Sequence, residues 1–226
     1  MRKIIITCLM ATMLFVGNVY AADTPLISKI DAAVTEHSEN IKISDNQLTS
    51  EELVSTMTEY FGRYASAGFI NCCFQAYDTD ENGLYDTITP EYRYSDQMSR
   101  IISRQIDHAE DKIIQQASEL TPEEQVKYVY TYFCTHFVYD EKLNYDLKHL
   151  YTENSGTCAS FSVAYKNIMD KIDIPCKIVI SEDMTHEWNQ VFINNEWRSI
   201  DITEGIRLYR TGYAGAYWRA YLTSEN

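Results

Sequence analysis

The chain has 226 residues, of which 33 are acidic and 19 are lysine or arginine, and its formal net charge is −14. An acidic balance of this size argues against binding to nucleic acid or to anionic lipid head groups, because both attract basic surfaces. The length suits one domain, or a core with an N-terminal elaboration.

The first 21 residues have the pattern of a secretory signal. Arg2 and Lys3 form a basic start, an apolar run covers residues 4–16, and residues 19–21, Val-Tyr-Ala, resemble a small-x-Ala cleavage site. The apolar run is short for a membrane span. We therefore expect export with cleavage near Ala21, a secreted, periplasmic or cell-surface location, and no stable membrane anchor after cleavage.

The region 22–118 is predicted to contain helices and a hairpin. Apolar spacing predicts three helices, at residues 25–34, 49–68 and 95–118. Thr49 and Glu52 have the spacing of a capping box. Strands are predicted at residues 40–44, 69–77 and 84–88, with Asn82-Gly83 as the turn between the last two. The predicted buried side of the longest helix consists of Met98, Ile101, Ile102, Ile106, Ile113 and Ile114.

The loop between the two longer strands resembles the start of a calcium loop of the EF-hand kind. Oxygen donors occupy positions one, three, five and nine of that pattern: Asp78, Asp80, Asn82 and Asp86. Position twelve is Thr89, so the bidentate acid is missing, and the flanks are predicted strands rather than helices. The sequence favours a polar hairpin turn, with calcium binding as the weaker alternative. We expect no other metal site and no cofactor.

The region 119–226 begins with a helix at residues 121–137, which opens with the cap Thr121 and with Pro122. A second helix starts at Cys158 and has one apolar face as far as residue 172. A strand is predicted at 177–181, and a hairpin at 186–200 around Asn194-Asn195. The tail contains a candidate final strand at residues 217–222.

The number of cysteines suggests a free thiol. Five cysteines follow the signal, and an odd number in an exported protein leaves at least one unpaired. If Cys158 stays reduced, three pairings remain open among the other four, which are Cys72, Cys73, Cys134 and Cys176. A bridge between the adjacent Cys72 and Cys73 is the least expected, because successive strand residues point to opposite faces.

Three residues suited to thiol chemistry follow one another in the region 119–226: Cys158, His186 and Asp201. Cys158 lies at a predicted helix start, where the positive helix end favours a thiolate and backbone N–H groups can bind an oxyanion. If residue 193 pairs with residue 196, His186 and Asp201 lie on one face of the hairpin, in reach of a side-chain bond. Nucleophile, base and orienting carboxylate are sufficient for acyl transfer. Trp188 shares that face, and it either shields the imidazole from water or fills the core.

At these residues the chain resembles the transglutaminase-like superfamily. The resemblance is carried by Gly156-Thr157-Cys158-Ala159, by His186-Glu187-Trp188-Asn189 and by Glu196-Trp197-Arg198-Ser199-Ile200-Asp201. Val129-Tyr130-Thr131-Tyr132-Phe133 and Phe137-Val138-Tyr139-Asp140 resemble the helix and the aromatic-Asp pair that precede this core. Glu187 departs from the family, where alanine is common, and its side chain is expected to point away from His186 and not to touch the triad.

The resemblance implies an α+β fold of the papain-like, transglutaminase-core kind. In this fold a Cys-bearing helix packs on an antiparallel sheet that carries His and Asp, here after an N-terminal α/β elaboration. The implied domains are the signal at 1–21, a helix–hairpin–helix region at 22–118 and a catalytic core at 119–226. The implied triad is Cys158, His186 and Asp201. Tyr139 and Asn154 are the candidates for a second oxyanion donor.

The resemblance also implies an exported bacterial cysteine hydrolase, a protease or amidase that forms an acyl-thioester. Its expected partner is a protein or peptide substrate, such as a cell-wall or surface protein. Two alternatives remain. One is a transglutaminase that crosslinks surface proteins, because the triad alone does not distinguish water from an amine as acceptor. The other is a non-catalytic binding module that retains the fold.

Overall fold

The computed structural model describes residues 2–7, 24–63, 71–142, 147–181, 185–213 and 215–223. The chain divides into two compact units, Met1–Arg100 and Ile101–Asn226. Most of the predicted signal lies outside the described residues, and the domain boundary predicted at residue 118 stays a prediction. No described helix is long and apolar enough to cross a membrane.

The first unit contains an antiparallel sheet. Its strands are β1 (Arg2–Thr7), β2 (Ile41–Lys42), β3 (Asn71–Asp78) and β4 (Thr87–Tyr92), in the order β1-β3-β4-β2. Two helices, α1 (Pro25–Thr35) and α2 (Ser50–Arg63), contact each other. The predicted cap of α2 is confirmed, because the Thr49 hydroxyl accepts from the Glu52 N–H at 3.3 Å. The unit's core includes Ile27, Ile30, Leu53, Met57, Phe74 and Ile88.

The loop between β3 and β4 uses its carboxylates within the loop. Asp78 is buried and accepts hydrogen bonds from the N–H groups of Asn82, at 3.1 Å, and Gly83, at 2.9 Å. Asp86 is also buried and accepts from the N–H of Thr79 at 2.7 Å. Among the described residues, no group of three His, Cys, Asp or Glu side chains could hold a metal ion. These bonds favour the polar hairpin turn over a calcium loop.

The second unit begins within α3 (Asp96–Ala117). The elements that follow are α4 (Pro122–His136), β5 (Val138–Tyr139), α5 (Leu147–Glu153), β6 (Ser155–Gly156), α6 (Cys158–Lys171), β7 (Cys176–Ile180), β8 (Glu187–Ile193), β9 (Glu196–Ile200), α7 (Ile202–Tyr209) and a 3-10 helix (Ala216–Ala220). β5 and β6 form a short parallel pair, and β7-β8-β9 form an antiparallel sheet.

Helix α6 is the central helix of the second unit and contacts β7 and β8. Phe161, Tyr165 and Ile168 on α6 have no exposed surface, and the Tyr165 ring meets Phe133 of α4 edge to face at 5.8 Å. Fully burying one such apolar side chain contributes about 1.5–3 kcal/mol. The α+β class is confirmed, and the helix that begins at Cys158 has a rigid support.

Four elements from α3 onward differ from the sequence prediction. The predicted final strand is the 3-10 helix, and of the described tail residues only Thr223 pairs with β9, through Ser199. Helices α5 and α7 are additional. On α3, Met98 and Ile101 are 44% and 43% exposed, so the predicted buried side was wrong at these two positions. They flank the buried stripe of the helix, whose positions follow one another at spacings of three or four residues: Ser99, Ile102, Ile106, Glu110 and Ile113.

Candidate active site

Cys158 is the first residue of α6. Thr157 caps the helix and its hydroxyl accepts from the N–H of Ser160, so the thiol stands at the positive end of a 14-residue helix. The chain enters this helix tightly, because a Cβ on Gly156 would lie 3.1 Å from Cβ of Ser160 and 3.2 Å from Cδ1 of Leu150. The half-buried Cys158 is therefore held at a helix N-terminus, where backbone N–H groups can bind an oxyanion.

His186 and Asp201 meet across the β8–β9 hairpin. Ile193 pairs with Glu196, which is the register that the sequence analysis assumed, and the turn residues Asn194 and Asn195 adopt left-handed φ angles of 53° and 64°. His186 directly precedes β8 and Asp201 directly follows β9. The imidazole Nε2 and the carboxylate Oδ2 are 2.8 Å apart. The contact between His186 and Asp201 that was predicted from the hairpin register is therefore present.

The environment of His186 favours the imidazolium. The hydrogen bond with Asp201 and, next, the one with Cys158 raise the pKa of His186 to about 10, although burial opposes the shift. Because Nε2 is engaged with Asp201, Nδ1 is the nitrogen left for the thiol. The three predicted residues therefore lie together as thiol, imidazole and carboxylate.

Asp201 also caps a helix, a role that the sequence analysis missed. Its Oδ1 accepts from the N–H of Glu204 at 2.9 Å, which makes Asp201 the N-cap of α7. The sequence signal is Asp201 followed three residues later by Glu204, the spacing of a capping box. One carboxylate oxygen thus holds the helix and leaves the other for the imidazole.

Trp188 lies beside the imidazole. Its ring stacks on His186 with centroids 5.9 Å apart and an interplanar angle of 23°, and the side chain is half-buried. A ring in this position covers one side of the imidazole, and the choice between shielding it from water and filling the core stays open.

The two oxyanion candidates lie in different settings. Tyr139 on β5 is 41% exposed, and burial, followed by the charge of Cys158, raises its pKa, so its hydroxyl stays a neutral donor near the thiol. Asn154 has a left-handed φ of 52°, its side chain is exposed, and its carbonyl accepts from the N–H of Val138 at 2.8 Å. Tyr139 is thus the candidate that interacts electrostatically with Cys158, whereas the Asn154 backbone binds Val138, and a donor role for either side chain stays a prediction.

Cys134 is a free thiol behind the site. It is buried on α4, next to Tyr130 and near Asp201, and burial raises its pKa to about 12. Cys158 is also a free thiol. Cys134 therefore takes part in none of the disulfide pairings that the sequence left open.

Glu187 follows His186 and pairs with Ile180 on β7. Burial raises the pKa of this carboxyl to about 7, and the nearby charge of His186 opposes the shift. This charge interaction between neighbouring residues needs no contact, so the expectation that the Glu187 side chain points away from His186 and does not touch the triad stays a prediction.

Glu187→Gln is expected to change how stability depends on pH. A folded-state pKa above the ordinary value means that the protonated carboxyl stabilises the fold below pH about 4.5 and that this contribution is lost as the pH rises through about 7. The variant should match the wild type near pH 4 and melt at a higher temperature at pH 8. Thermal unfolding followed by circular dichroism across this range tests this, and parallel curves for the two proteins would contradict it.

Comparison with known proteins gives one family match. Residues 108–202 match the model of the transglutaminase-like superfamily. No curated protein matches the chain.

Several solved structures are similar to the chain. One is a crystal structure of a TGase, with 17% identity and a TM-score of 0.38, covering 66% of this chain and 47% of that one. The periplasmic domain of TgpA from Pseudomonas aeruginosa has 14% identity and a TM-score of 0.37, covering 61% of this chain and 67% of that one. A structure from Cytophaga hutchinsonii, described provisionally as that of a cysteine protease, has 12% identity and a TM-score of 0.37, covering 58% and 50%. The chain spans about half the length of the first and third.

Proposed function

We propose that the chain, whose residues 108–202 match the model of the transglutaminase-like superfamily, is an exported cysteine hydrolase, a protease or amidase. It acts on peptide or side-chain amides of proteins through an acyl-thioester on Cys158. One observation carries the proposal: a free thiol at a helix N-terminus beside an imidazole whose Nε2 lies 2.8 Å from a carboxylate. The signal-like first 21 residues support export, and cleavage near Ala21 would remove the edge strand β1 and leave the sheet as β3-β4-β2.

The first half-reaction forms the thioester. His186 takes the proton of the Cys158 thiol, and the sulfur attacks the amide carbonyl carbon to give a tetrahedral oxyanion. The N–H of Cys158 at the start of α6, and the Tyr139 hydroxyl, are the donors proposed for that oxyanion. When the C–N bond breaks, the imidazolium returns its proton to the leaving amine. The acyl group then remains on the sulfur.

The second half-reaction regenerates the thiol. His186 removes a proton from water, and the hydroxide equivalent attacks the thioester carbonyl. The C–S bond then breaks to release a carboxylic acid, and the imidazolium returns its proton to the sulfur of Cys158. Asp201 orients the imidazole and stabilises its charged form in both halves. An amine in place of this water would form a new amide, which is the transglutaminase alternative.

The proposal is tested with an activated ester and an amine. The purified protein is mixed with p-nitrophenyl acetate, and intact-protein mass spectrometry is run on the wild type and on Cys158→Ala. We expect an acetyl adduct that depends on Cys158 and decays in water to free acetate. Casein and a fluorescent alkylamine are then added, and the amine should not be incorporated.

Each other outcome supports a named alternative. Amine incorporation into casein that depends on Cys158 would favour the transglutaminase. Equal labelling of the wild type and Cys158→Ala would contradict the enzyme and favour the binding module. Cys134→Ala is the matched control, because it removes a buried thiol that is not offered to substrate.

A further inference from the structure

Asp201 is held by more than the hairpin. Its Oδ1 accepts from Glu204 at the start of α7, and its own backbone N–H donates to the carbonyl of Ala220 at 3.0 Å. The carboxylate oxygen that faces His186 therefore belongs to a residue fixed on both sides. The backbone bond comes from the C-terminal segment, by which we mean residues 215–223.

The C-terminal segment extends the edge of β9. Ser199 and Thr223 exchange two backbone hydrogen bonds, each 3.0 Å long, as an antiparallel bridge. Residues 220–223 thus lie alongside the end of β9 that leads into Asp201. This segment lies beyond residues 108–202, so the family match does not include it.

An aromatic cluster holds this segment against α4. We use this name for Tyr130 of α4 together with Tyr217, Trp218 and Tyr221. Tyr130 has no exposed surface, and its ring centroid lies 6.2, 5.8 and 5.0 Å from those of Tyr217, Trp218 and Tyr221. Its hydroxyl donates to the carbonyl of Tyr217. Lys127, one turn before Tyr130, lies over the Trp218 ring with Nζ 5.2 Å from the centroid.

Helix α7 also approaches the cluster closely. A Cβ on Gly205 would lie 2.4 Å from the Tyr130 hydroxyl oxygen and 2.6 Å from the Cys134 sulfur, so only glycine fits. Gly205 also donates its N–H to the carbonyl of Asp201 at 2.9 Å. The cluster therefore touches the helix that Asp201 caps as well as the segment that binds the Asp201 backbone.

We infer that the aromatic cluster positions Asp201 for its bond with His186, and that Tyr130 and Trp218 are positioning residues of the site. Neither residue is assigned contact with substrate or with the reacting sulfur. The inference rests on the proposed function, because it assigns a role relative to that site. If the cluster loosens, the Nε2–Oδ2 bond is made less often, the imidazolium is less favoured, and less thiolate survives at low pH.

The test measures the rate of Cys158 alkylation by iodoacetamide between pH 5 and 9 in the wild type, Tyr130→Phe and Trp218→Leu. Peptide mapping by mass spectrometry assigns each alkylation to Cys158 and separates it from the other thiols. In both variants we expect the acid limb of the profile to move up by about 0.5–1 pH unit. With p-nitrophenyl acetate, kcat should fall about tenfold while KM stays within about twofold. Tyr130→Phe removes only a hydroxyl, so it remains informative if Trp218→Leu folds poorly.

Trp197→Leu is the matched control. Trp197 also carries a lysine, Lys177, with Nζ 4.7 Å from its centroid, but it packs on Phe192 near the hairpin turn. This variant should lose thermal stability as Trp218→Leu does and keep the wild-type profile. Wild-type profiles in both Tyr130→Phe and Trp218→Leu would overturn the inference alone. An ordinary thiol profile in the wild-type protein would overturn it together with the proposed function.

Discussion

Replacing His186 by alanine is expected to lower the turnover of an activated ester by about a thousandfold, because general base catalysis of this kind contributes about 10²–10⁴-fold. The variant loses the group that takes the thiol proton and the cation that stabilises the thiolate. Its residual rate would come from the small thiolate fraction of an ordinary cysteine and from the helix N-terminus. The release of p-nitrophenol, compared at pH 7 for the two proteins, measures the loss.

His108→Ala is the control for the loss of a histidine. His108 is exposed on α3, so its replacement should leave turnover and melting temperature unchanged. If His186→Ala kept more than about a tenth of the wild-type turnover, His186 would not act as the base. If His108→Ala lost activity equally, the ester reaction would not report on the site.

The second large effect concerns a buried carboxylate away from the site. Glu110 of α3 is 1% exposed, and its Oε2 lies 3.0 Å from Nζ of Lys171. Its Oε1 accepts from the Tyr151 hydroxyl at 3.0 Å and from the Asn167 amide at 3.3 Å. Burial raises the pKa of Glu110, and the Lys171 charge, followed by the hydrogen bonds, opposes this shift. One carboxylate therefore links α3 to α5 and to the C-terminal half of α6.

Glu110→Ala is expected to lower the free energy of unfolding by about 3 kcal/mol, because it leaves Tyr151 and Asn167 without this acceptor and removes the buried carboxylate among those that pair with Lys171. For a chain of this size such a loss lowers the melting temperature by about 6–12 °C. Glu110→Gln keeps the shape of the side chain and one oxygen with both acceptor lone pairs, so its free energy of unfolding should fall by less than that of Glu110→Ala. Thermal unfolding at pH 7 measures both variants. Equal and small losses, below about 1 kcal/mol, would show that the buried charge does not stabilise the fold.

The site was more predictable than the segments that support it. Cys158 follows a cap and precedes an apolar stripe, and the positions of His186 and Asp201 in the hairpin have opposite parity. These local patterns were sufficient because the hairpin register depends on a two-residue turn, Asn194-Asn195, whose left-handed angles asparagine accepts. The fold class and the helix starts at Thr49 and Thr121 were predicted for the same reason, as each depends on neighbours in sequence.

The elements that sequence analysis missed depend on tertiary contacts. The tail residues Tyr217, Trp218 and Tyr221 are β-formers, which suggested a strand, but their rings pack around Tyr130 and the backbone adopts a 3-10 helix instead. The need for glycine at position 205 was not predictable either, because Gly205 approaches Tyr130 and Cys134 only in the folded chain. On α3 the buried stripe includes the polar residues Ser99 and Glu110. Selecting the buried side by apolar residues alone therefore wrongly included Met98 and Ile101, which flank this stripe.

The proposed enzyme depends on a thiolate–imidazolium pair formed by Cys158 and His186. This pair is tested by the rate of Cys158 alkylation by iodoacetamide against pH, in the wild type and in His186→Ala. We expect fast alkylation that persists well below pH 8 in the wild type. At pH 6 the variant should be slower by about tenfold, since its thiolate is scarce although more nucleophilic. Identical profiles in both proteins, rising only near the ordinary thiol pKa of about 8.5, would contradict the pair and with it the proposed enzyme.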